Sequence, residues 1–547
     1  MTVAELFVRC LENEGVRYVF GVPGEENEDL LFALEPSSIR FVPTRHEQGA
    51  AFMADVWGRL SGQAGVCLST LGPGATNLIT GVADANLDKS PVVAITGQTT
   101  LSRLHKESHQ RLDAVRMFRP ITKWNTSIAS PDVVCEVVRK AFKLAESEKP
   151  GATHIELPED VATLPATGEP LAAIRVRRPD PDHQALRDTV AALKRAKKPL
   201  VLAGNGAVRK DASDHLRQFV GRCHIPIVHT FMGQGAVSDD SDESLHTIGL
   251  GFRDLVMDAV DQADLVIAIG YDLAEYAPSA WNPKRDKPII HIDFTPAEVD
   301  AWYQPAVEIV ADVPASLREL NRLLEETSCP VDPSWYIPVR DRIRADIRSY
   351  SLTEGQPFTV PGVLNELRSV MADEDLLISD VGSHKLWIAR NFPTRCPNGC
   401  LISNGLASMG MALPGAVAAA LLDPSRRVVA AMGDGGFLMN SQELETAKRL
   451  GVAFTVLLFN DNDYGLISWK QRMHRGHTTG TQLTNPDFVR YVESFGIAAR
   501  RPATLAALRR DLAESLASKT LSVIEVPIDQ DVNMQVINRL TGRAGKR

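Results

Sequence analysis

What most constrains this chain is a recurring handover from a short apolar run, through a Gly-rich or polar turn, to a helical stretch. It is clearest between Arg427 and Gly465. Arg427-Val428-Val429-Ala430-Ala431-Met432 reads as a buried parallel strand. Gly433-Asp434-Gly435-Gly436 follows. Asn440 then caps a helix, with Glu443 three residues on as a variant capping box, and Gly451 stops it. Ala453 to Phe459 is a second apolar strand. The unit is β-α-β, and Asp434 and Asp461 stand at the carboxyl ends of its two strands, where open α/β sheets bind ligands. Two oxygen ligands of this kind suit Mg²⁺, which takes octahedral oxygen coordination and shares it with phosphates. Gly435 and Gly436 let the backbone approach a phosphate at the helix start. Taken singly, Asp434 in a Gly-Asp-Gly triplet reads as a turn residue.

The same rhythm fills the N-terminal part. Val3 to Glu14 has helical spacing and Gly15 ends it. The strand Tyr18 to Gly21 leads through Val22-Pro23-Gly24 to a helix from Glu28 to Leu34. Ile39 to Thr44 is a strand that delivers Arg45-His46-Glu47 to the start of another helix. Gly65 to Ser69, the Gly72-Pro73-Gly74 loop, a helix from Ala75 to Leu87 and the strand Pro91 to Thr96 continue the alternation. Such alternation predicts doubly wound parallel sheets. On its own, Glu47 is a carboxylate interacting with a helix dipole. His109 and Gln110 fall on a loop, and by composition they are equally surface residues.

Glu156 to Val161 closes a first domain (1–163), and Leu164 to Pro181 reads as a linker. A central domain (184–325) holds a helix from His183 to Arg195 and the strands Pro199 to Ala203, Ala263 to Gly270 and Pro288 to Phe294. Its Gly204-Asn205-Gly206 is a lone Gly-x-Gly, more a packing turn than a nucleotide loop. Glu326 to Pro338 reads as a second linker. In the third domain (358–528), the strand Leu376 to Asp380 ends in Val381-Gly382-Ser383-His384, placed to hold phosphate oxygens at a helix start. Val523 to Pro527 is a final strand and Gly542 to Arg547 a basic tail.

A net charge of −9 and a pI near 5.9 imply no basic face, so no nucleic-acid partner is predicted. The seven cysteines form no CxxC pair. Cys396 and Cys400 flank a Pro-Asn-Gly turn as a loop thiol pair. Reduced thiols and a cytoplasmic setting follow. The N-terminus lacks a signal-peptide pattern, and no apolar run is long enough to predict a membrane span.

Gly433-Asp434-Gly435 joined to Asn460-Asp461-Asn462-Asp463-Tyr464-Gly465 resembles the diphosphate-metal motif of thiamine-diphosphate-dependent enzymes. Arg45-His46-Glu47-Gln48-Gly49-Ala50-Ala51-Phe52-Met53-Ala54 resembles the segment carrying their catalytic glutamate, and Gly72-Pro73-Gly74-Ala75-Thr76-Asn77 the companion loop. Gly270-Tyr271-Asp272 through Glu275-Tyr276 to Trp281-Asn282 looks like the catabolic acetolactate synthases, a group without flavin. Trp302-Tyr303-Gln304-Pro305 fits the same group.

The resemblance covers about Leu6 to Pro527. It implies three doubly wound α/β domains of the pyruvate-oxidase-like architecture, with thiamine diphosphate and Mg²⁺ as cofactors and FAD not expected. Asp434, Asp461 and the backbone carbonyl of Asp463 would hold the metal. Pro23, Gly24, Thr70, Gly74, Asn77, Gly382, Ser383, His384, Gly433, Gly435, Gly436, Tyr464 and Gly465 would line the cofactor. Gly405 would grip its pyrimidine and Met409 bend it, though Met409 reads equally as core filling. Glu47 would contact the aminopyrimidine ring nitrogen and favour the imino tautomer that takes the C2 proton. His109 and Gln110 would stand beside the substrate.

The implied reaction joins two molecules of pyruvate, a 2-oxo acid, into 2-acetolactate with loss of CO₂. The implied assembly is a homodimer or homotetramer with the active site at the subunit interface. Two departures bear on substrate identity: Glu25-Glu26 replaces the usual Ala-Lys, and Lys470 the usual Gln. Lys470, on a helix with Ile467 and Trp469 facing the pocket mouth, is either a solvated lysine or an acceptor-binding residue. Other readings are a related decarboxylase or carboligase with a different acceptor, and a catalytically silent scaffold.

Overall fold

The apolar runs pair side by side, each parallel to its neighbour. The computed structural model describes residues 1–174, 176–209, 211–251, 253–325 and 331–540, and these form three six-stranded sheets. The first holds β1 (Tyr18–Gly21), β2 (Arg40–Pro43), β3 (Gly65–Ser69), β4 (Val92–Gln98), β5 (Trp124–Ser127) and β6 (Ala152–Pro158), in the order β2-β1-β3-β4-β6-β5. The middle sheet holds β7 (Pro199–Ala203), β8 (Ile227–His229), β9 (Ser244–Thr247), β10 (Leu265–Ile269), β11 (Ile289–Asp293) and β12 (Val307–Val310), in the order β12-β11-β10-β7-β8-β9. The third holds β13 (Leu376–Ser379), β14 (Cys400–Ile402), β15 (Val428–Gly433), β16 (Thr455–Asn460), β17 (Ala498–Arg500) and β18 (Ser522–Pro527), in the order β14-β13-β15-β16-β18-β17.

Counted from their own first strands, the first and third sheets share one strand order, although no sequence repeat accompanies it. The direction in which successive strands are added reverses between β1 and β3 in the first sheet, β7 and β10 in the middle, and β13 and β15 in the third. Crevices at such reversals are where open parallel sheets bind ligands. The turns after β1 and β3 carry Pro23, Gly24, Thr70 and Gly74. The turn after β13 carries Gly382 and leads to Ser383, and β15 ends at Gly433 with Asp434 starting the helix beyond it.

The first and third sheets meet through two helices, Glu47–Ser61 and Ala412–Leu422. The second is apolar on all sides and buried from Ala412 to Ala420, as a helix enclosed by protein must be. Its small side chains permit close approach: a Cβ on Gly415 would stand 2.7 Å from Val56 Cγ2. One apolar cluster therefore runs from Phe20 and Val42 through both helices to Phe437 and Phe488. This packing fixes where the helix that begins at Glu47 points.

Some elements differ from the sequence expectation. Asn440 is the last residue of a helix that begins at Asp434, not the cap of the next one. Its amide donates to the Gly410 carbonyl at 2.8 Å, and the next helix, Glu443–Leu450, has no side-chain cap. Gly451 does end that helix in the left-handed region. The second linker overlaps a helix, Ile337–Arg348. Only Val339, Ile343 and Ile347 of it are buried, and this thin stripe is obscured by the surrounding charges. A helix also follows β18, Gln530–Leu540. Residues 326–330 of the second linker and the basic tail lie outside the described residues. Among the described residues, no helix is long and apolar enough to cross a membrane. Cys396 and Cys400 are buried free thiols.

Candidate active site

The loops after β13, β15 and β16 converge. Asp434 is buried. One of its oxygens accepts from its neighbour's amide, Gly435 N, at 2.9 Å. The other accepts from Asn462 N at 2.8 Å and Asn485 Nδ2 at 2.6 Å. Burial raises its carboxyl above the usual range, against those hydrogen bonds. Asp461 is pushed up to about 7, first by burial and then by the charge of Asp434. Two carboxylates facing one another in a poorly solvated corner repel unless a cation or a proton lies between them.

Neighbouring groups close the corner. A Cβ on Gly465 would stand 2.6 Å from Asp461 Oδ2 and 3.2 Å from Ser383 Oγ. One on Gly435 would stand 2.8 Å from the Tyr464 ring and 3.5 Å from Met409 Cε. His384 is buried beside Gly433 with Nε2 lacking a partner. Burial holds its imidazole down at about 4, so the ring is neutral at pH 7. Asp463 Oδ1 is likewise buried without a partner. The strand-like pairing there uses the Asn462 carbonyl and the Tyr464 amide, and leaves the Asp463 carbonyl out of that exchange. Among the described residues, no three His, Cys, Asp or Glu side chains converge as a metal cage. A cation here would combine the two carboxylates with backbone and ligand oxygens, the habit of Mg²⁺. The orphaned polar atoms and the paired acids fit a diphosphate–metal group.

Glu47 lies at the first turn of its helix and is 8% exposed. Asn77 Nδ2 donates to its Oε2 at 2.9 Å, and its Oε1 lies 3.3 Å from where a Cβ on Gly74 would be. Two caps hold that helix start. His46 Nδ1 accepts from Gln48 N at 3.0 Å. Glu443, from the third sheet's layer, accepts from Arg45 N at 3.0 Å and His46 N at 3.1 Å. Without Glu443 those amides would lack their acceptor, at about 1–3 kcal/mol for each one left buried and unmet. The residue read as a local capping box thus caps a helix about 400 residues away in the chain.

His109 and Gln110 are exposed. Their loop folds over the Gly72 turn, where a Cβ on Gly72 would stand 2.6 Å from the Gln110 carbonyl oxygen. Gly405 donates its N–H to Asp88 Oδ1 at 2.6 Å, so its carbonyl is the backbone group left to meet a ligand. Ile467, Trp469 and Lys470 do not share a face. Trp469 is buried, whereas Ile467 and Lys470 are exposed, because i and i+3 lie together while i+2 points away. Asn485, Gln530 beside Asp461, and Asp380, which accepts from Gly410 N at 2.8 Å, went unread in the sequence. Asn485 sits in a Thr-Asn-Pro-Asp loop that looks like any turn.

In the middle sheet the Gly204 turn is already occupied. Glu275 accepts from Asn205 N at 3.0 Å, from Asp272 N at 3.1 Å and from the Thr230 hydroxyl. Its carboxylate therefore fills the anion position at the β7/β10 reversal. Tyr271, Trp281 and Tyr303 pack edge to face or tilted behind it, which binds the Tyr271–Asn282 and Trp302–Tyr303 stretches into one block.

Three family models of thiamine pyrophosphate enzymes match: the N-terminal TPP binding domain over residues 1–117, the central domain over 186–320 and the C-terminal TPP binding domain over 380–526. Acetolactate synthase of Bacillus subtilis (strain 168) is 34% identical, covering 97% of this chain and 94% of its own. The catabolic acetolactate synthase of Raoultella terrigena is 36% identical, covering 98% and 97%. Acetolactate synthase isozyme 1 large subunit of Escherichia coli (strain K12) is 31% identical, covering 97% and 94%. The chain belongs to the family of thiamine pyrophosphate enzymes, and these relatives within it carry the name acetolactate synthase.

Proposed function

We propose that this chain is an acetolactate synthase, which decarboxylates one pyruvate and joins the remainder to a second, giving 2-acetolactate and CO₂. Residues 1–163 would present the pyrimidine-binding wall, 358–528 would hold the diphosphate and Mg²⁺, and 184–325 would brace them. The observation that carries the reading is the pairing of buried Asp434 with half-buried Asp461 at the third sheet's reversal, matched by Glu47 at the edge of the first. Thiamine diphosphate supplies, when bound, a thiazolium able to stabilise a carbanion. Asp434, Asp461 and the Asp463 carbonyl would hold Mg²⁺. Ser383, His384, Gly433, Gly435, Gly436, Tyr464 and Gly465 would line the diphosphate. Gly405 and Met409 would seat the ring system, with Pro23, Gly24, Thr70, Gly74 and Asn77 opposite. Glu47, with Oε2 fixed by Asn77, would hold a proton at the pyrimidine nitrogen through Oε1. His109 and Gln110 would meet the substrate from the loop over Gly72.

The active unit in this reading is at least a homodimer, with a homotetramer as a further assembly, and the setting is the cytoplasm. Leu406, Leu438, Met439 and Ile467 are exposed close to the site in sequence, an apolar set that a partner would cover. The reading is tested by mass spectrometry of products from pyruvate, with and without added aldehydes. 2-Acetolactate from pyruvate alone supports it. Products formed only with another acceptor assign the chain to a different carboligase.

The reading includes no flavin. Support comes from Glu275, whose carboxylate takes the amides that a dinucleotide phosphate would need. The purified protein is expected to be colourless, and a stoichiometric yellow chromophore released on denaturation would contradict this. Lys470 would attract the carboxylate of the acceptor from its exposed position. In a cleft closed by a partner, a charge-assisted hydrogen bond contributes roughly 1.5–3 kcal/mol. Exposed, the pair contributes about 0–1 kcal/mol. Lys470→Gln is therefore expected to lower kcat/KM for pyruvate as acceptor selectively over a neutral aldehyde. Equal effects on both acceptors return Lys470 to the solvent.

A further inference from the structure

The loop 403–410, which carries Gly405 and Met409, is held by acids from outside itself. Gly405 N donates to Asp88 Oδ1 at 2.6 Å, and Asn404 N to Asp88 Oδ2 at 3.2 Å. Ser403 Oγ donates to Asp84 Oδ1 at 2.8 Å, and Gly410 N to Asp380 Oδ1 at 2.8 Å. Two cations take the carbonyls that lead into the loop. Arg59 Nη2 donates to the Ile402 carbonyl at 3.2 Å, and Lys385 Nζ to the Ser403 carbonyl at 2.8 Å. Among the described residues, the Gly405 carbonyl has no such partner.

Asp84 lies in the last turn of the helix Pro73–Leu87, and Asp88 follows it as the end residue. Acids are disfavoured at that end of a helix, where the dipole is negative, so their placement serves the loop and not the helix. Asp88 is buried, and Arg59 Nη1 lies 3.2 Å from its Oδ2. It therefore holds the two loop amides as an ion-paired carboxylate, the stronger kind of acceptor.

The fit allows little play. A Cβ on Gly405 would stand 2.9 Å from Asp88 Oδ1 and 2.9 Å from the Leu87 carbonyl carbon, so glycine is what lets the loop descend onto the helix end. Glycine left to itself takes many conformations. Two residues on, Ala407 has φ 58°, a left-handed conformation that a residue with a Cβ keeps where its surroundings impose it. The acids, more than the local sequence, set the direction of the peptide that follows Gly405.

We propose that Asp88, acting through Gly405, is a positioning residue for the pyrimidine of thiamine diphosphate: by holding the Gly405 amide it fixes the carbonyl that would meet the ring. The inference deepens the thiamine-enzyme reading and rests on it. Asp88→Asn keeps the size of the side chain and removes its charge. Asp55 and Asp84 remain to offset Arg59 in that variant. Asp88→Glu keeps the charge and displaces the acceptor by one methylene.

The test compares two ligands by calorimetry on the cofactor-free full chain in the presence of Mg²⁺. Thiamine diphosphate carries the ring, whereas inorganic pyrophosphate fills the diphosphate corner without one. Both variants are expected to bind thiamine diphosphate about 10–100-fold more weakly than the parent, the span of one hydrogen bond to a charged group. Pyrophosphate is expected to bind as it does to the parent. Circular dichroism reports the fold, and Asp88→Glu decides alone should Asp88→Asn not fold. Equal weakening of both ligands would make Asp88 a residue of the general structure, and unchanged affinity for thiamine diphosphate would separate it from the ring; either overturns the inference. A parent that binds pyrophosphate but not thiamine diphosphate overturns the thiamine reading itself, and the inference with it.

Discussion

In Glu47→Gln, exchange of the C2 proton of bound thiamine diphosphate with solvent deuterium is expected to slow by about 10²–10⁴-fold, the usual contribution of a positioned acid-base group. The substitution keeps the length of the side chain. An amide oxygen can also accept from Asn77, as Glu47 Oε2 does. What disappears is the anionic oxygen that would hold a proton at the pyrimidine. The helix beginning at Glu47 remains anchored, because Glu443 and His46 hold its first amides. Acid quench followed by proton NMR reads the exchange directly and needs no substrate. A rate equal to the parent's would mean that another group activates the cofactor.

The second large effect is expected at Asp434. Its carboxylate serves two roles at once: it would bind the metal, and it ties Asn462 and Asn485 to the end of β15. Losing a group that only orients a metal ligand typically costs about 10–100-fold in metal affinity. Asp434→Ala, which removes a ligand outright, is expected to weaken Mg²⁺-dependent retention of thiamine diphosphate by more than that. The fold should survive, because the residue lies at the rim and the core beneath it is built from β15 and β16. Fluorescence titration with thiamine diphosphate measures the affinity and circular dichroism the fold. Unchanged affinity in a folded variant would remove Asp434 from the site.

The two acids were legible in the sequence for a physical reason. A buried parallel strand is a nearly continuous apolar run, so its end is sharp, and Asp434 and Asp461 sit immediately beyond such ends. For Glu47, after the strand Ile39 to Thr44, position alone shows only a helix-start carboxylate, and its role rests on the resemblance of the Arg45 to Ala54 segment to thiamine-diphosphate-dependent enzymes. What escaped was long-range pairing. Glu443 looked like a local cap because the residues before it allow one, yet its carboxylate is used across two layers. Asn485 and Gln530 reach the acids from loops and helices whose local sequence carries no ligand signal. The shared strand order of the first and third sheets was hidden because a strand order constrains only apolar pattern and turn position, which many sequences satisfy. The helix Ile337–Arg348 was missed because three buried side chains in twelve residues are too thin a stripe to stand out among arginines.

Two molecules of pyruvate are expected to become one of 2-acetolactate on this chain. The most direct test is the stoichiometry of a reaction with ¹³C-labelled pyruvate, thiamine diphosphate and Mg²⁺, followed by NMR. Two pyruvates are expected to be consumed for each CO₂ released and each 2-acetolactate formed, with no turnover when thiamine diphosphate is omitted. One CO₂ per pyruvate with acetaldehyde as the product, or no consumption by a fully loaded enzyme, would contradict this.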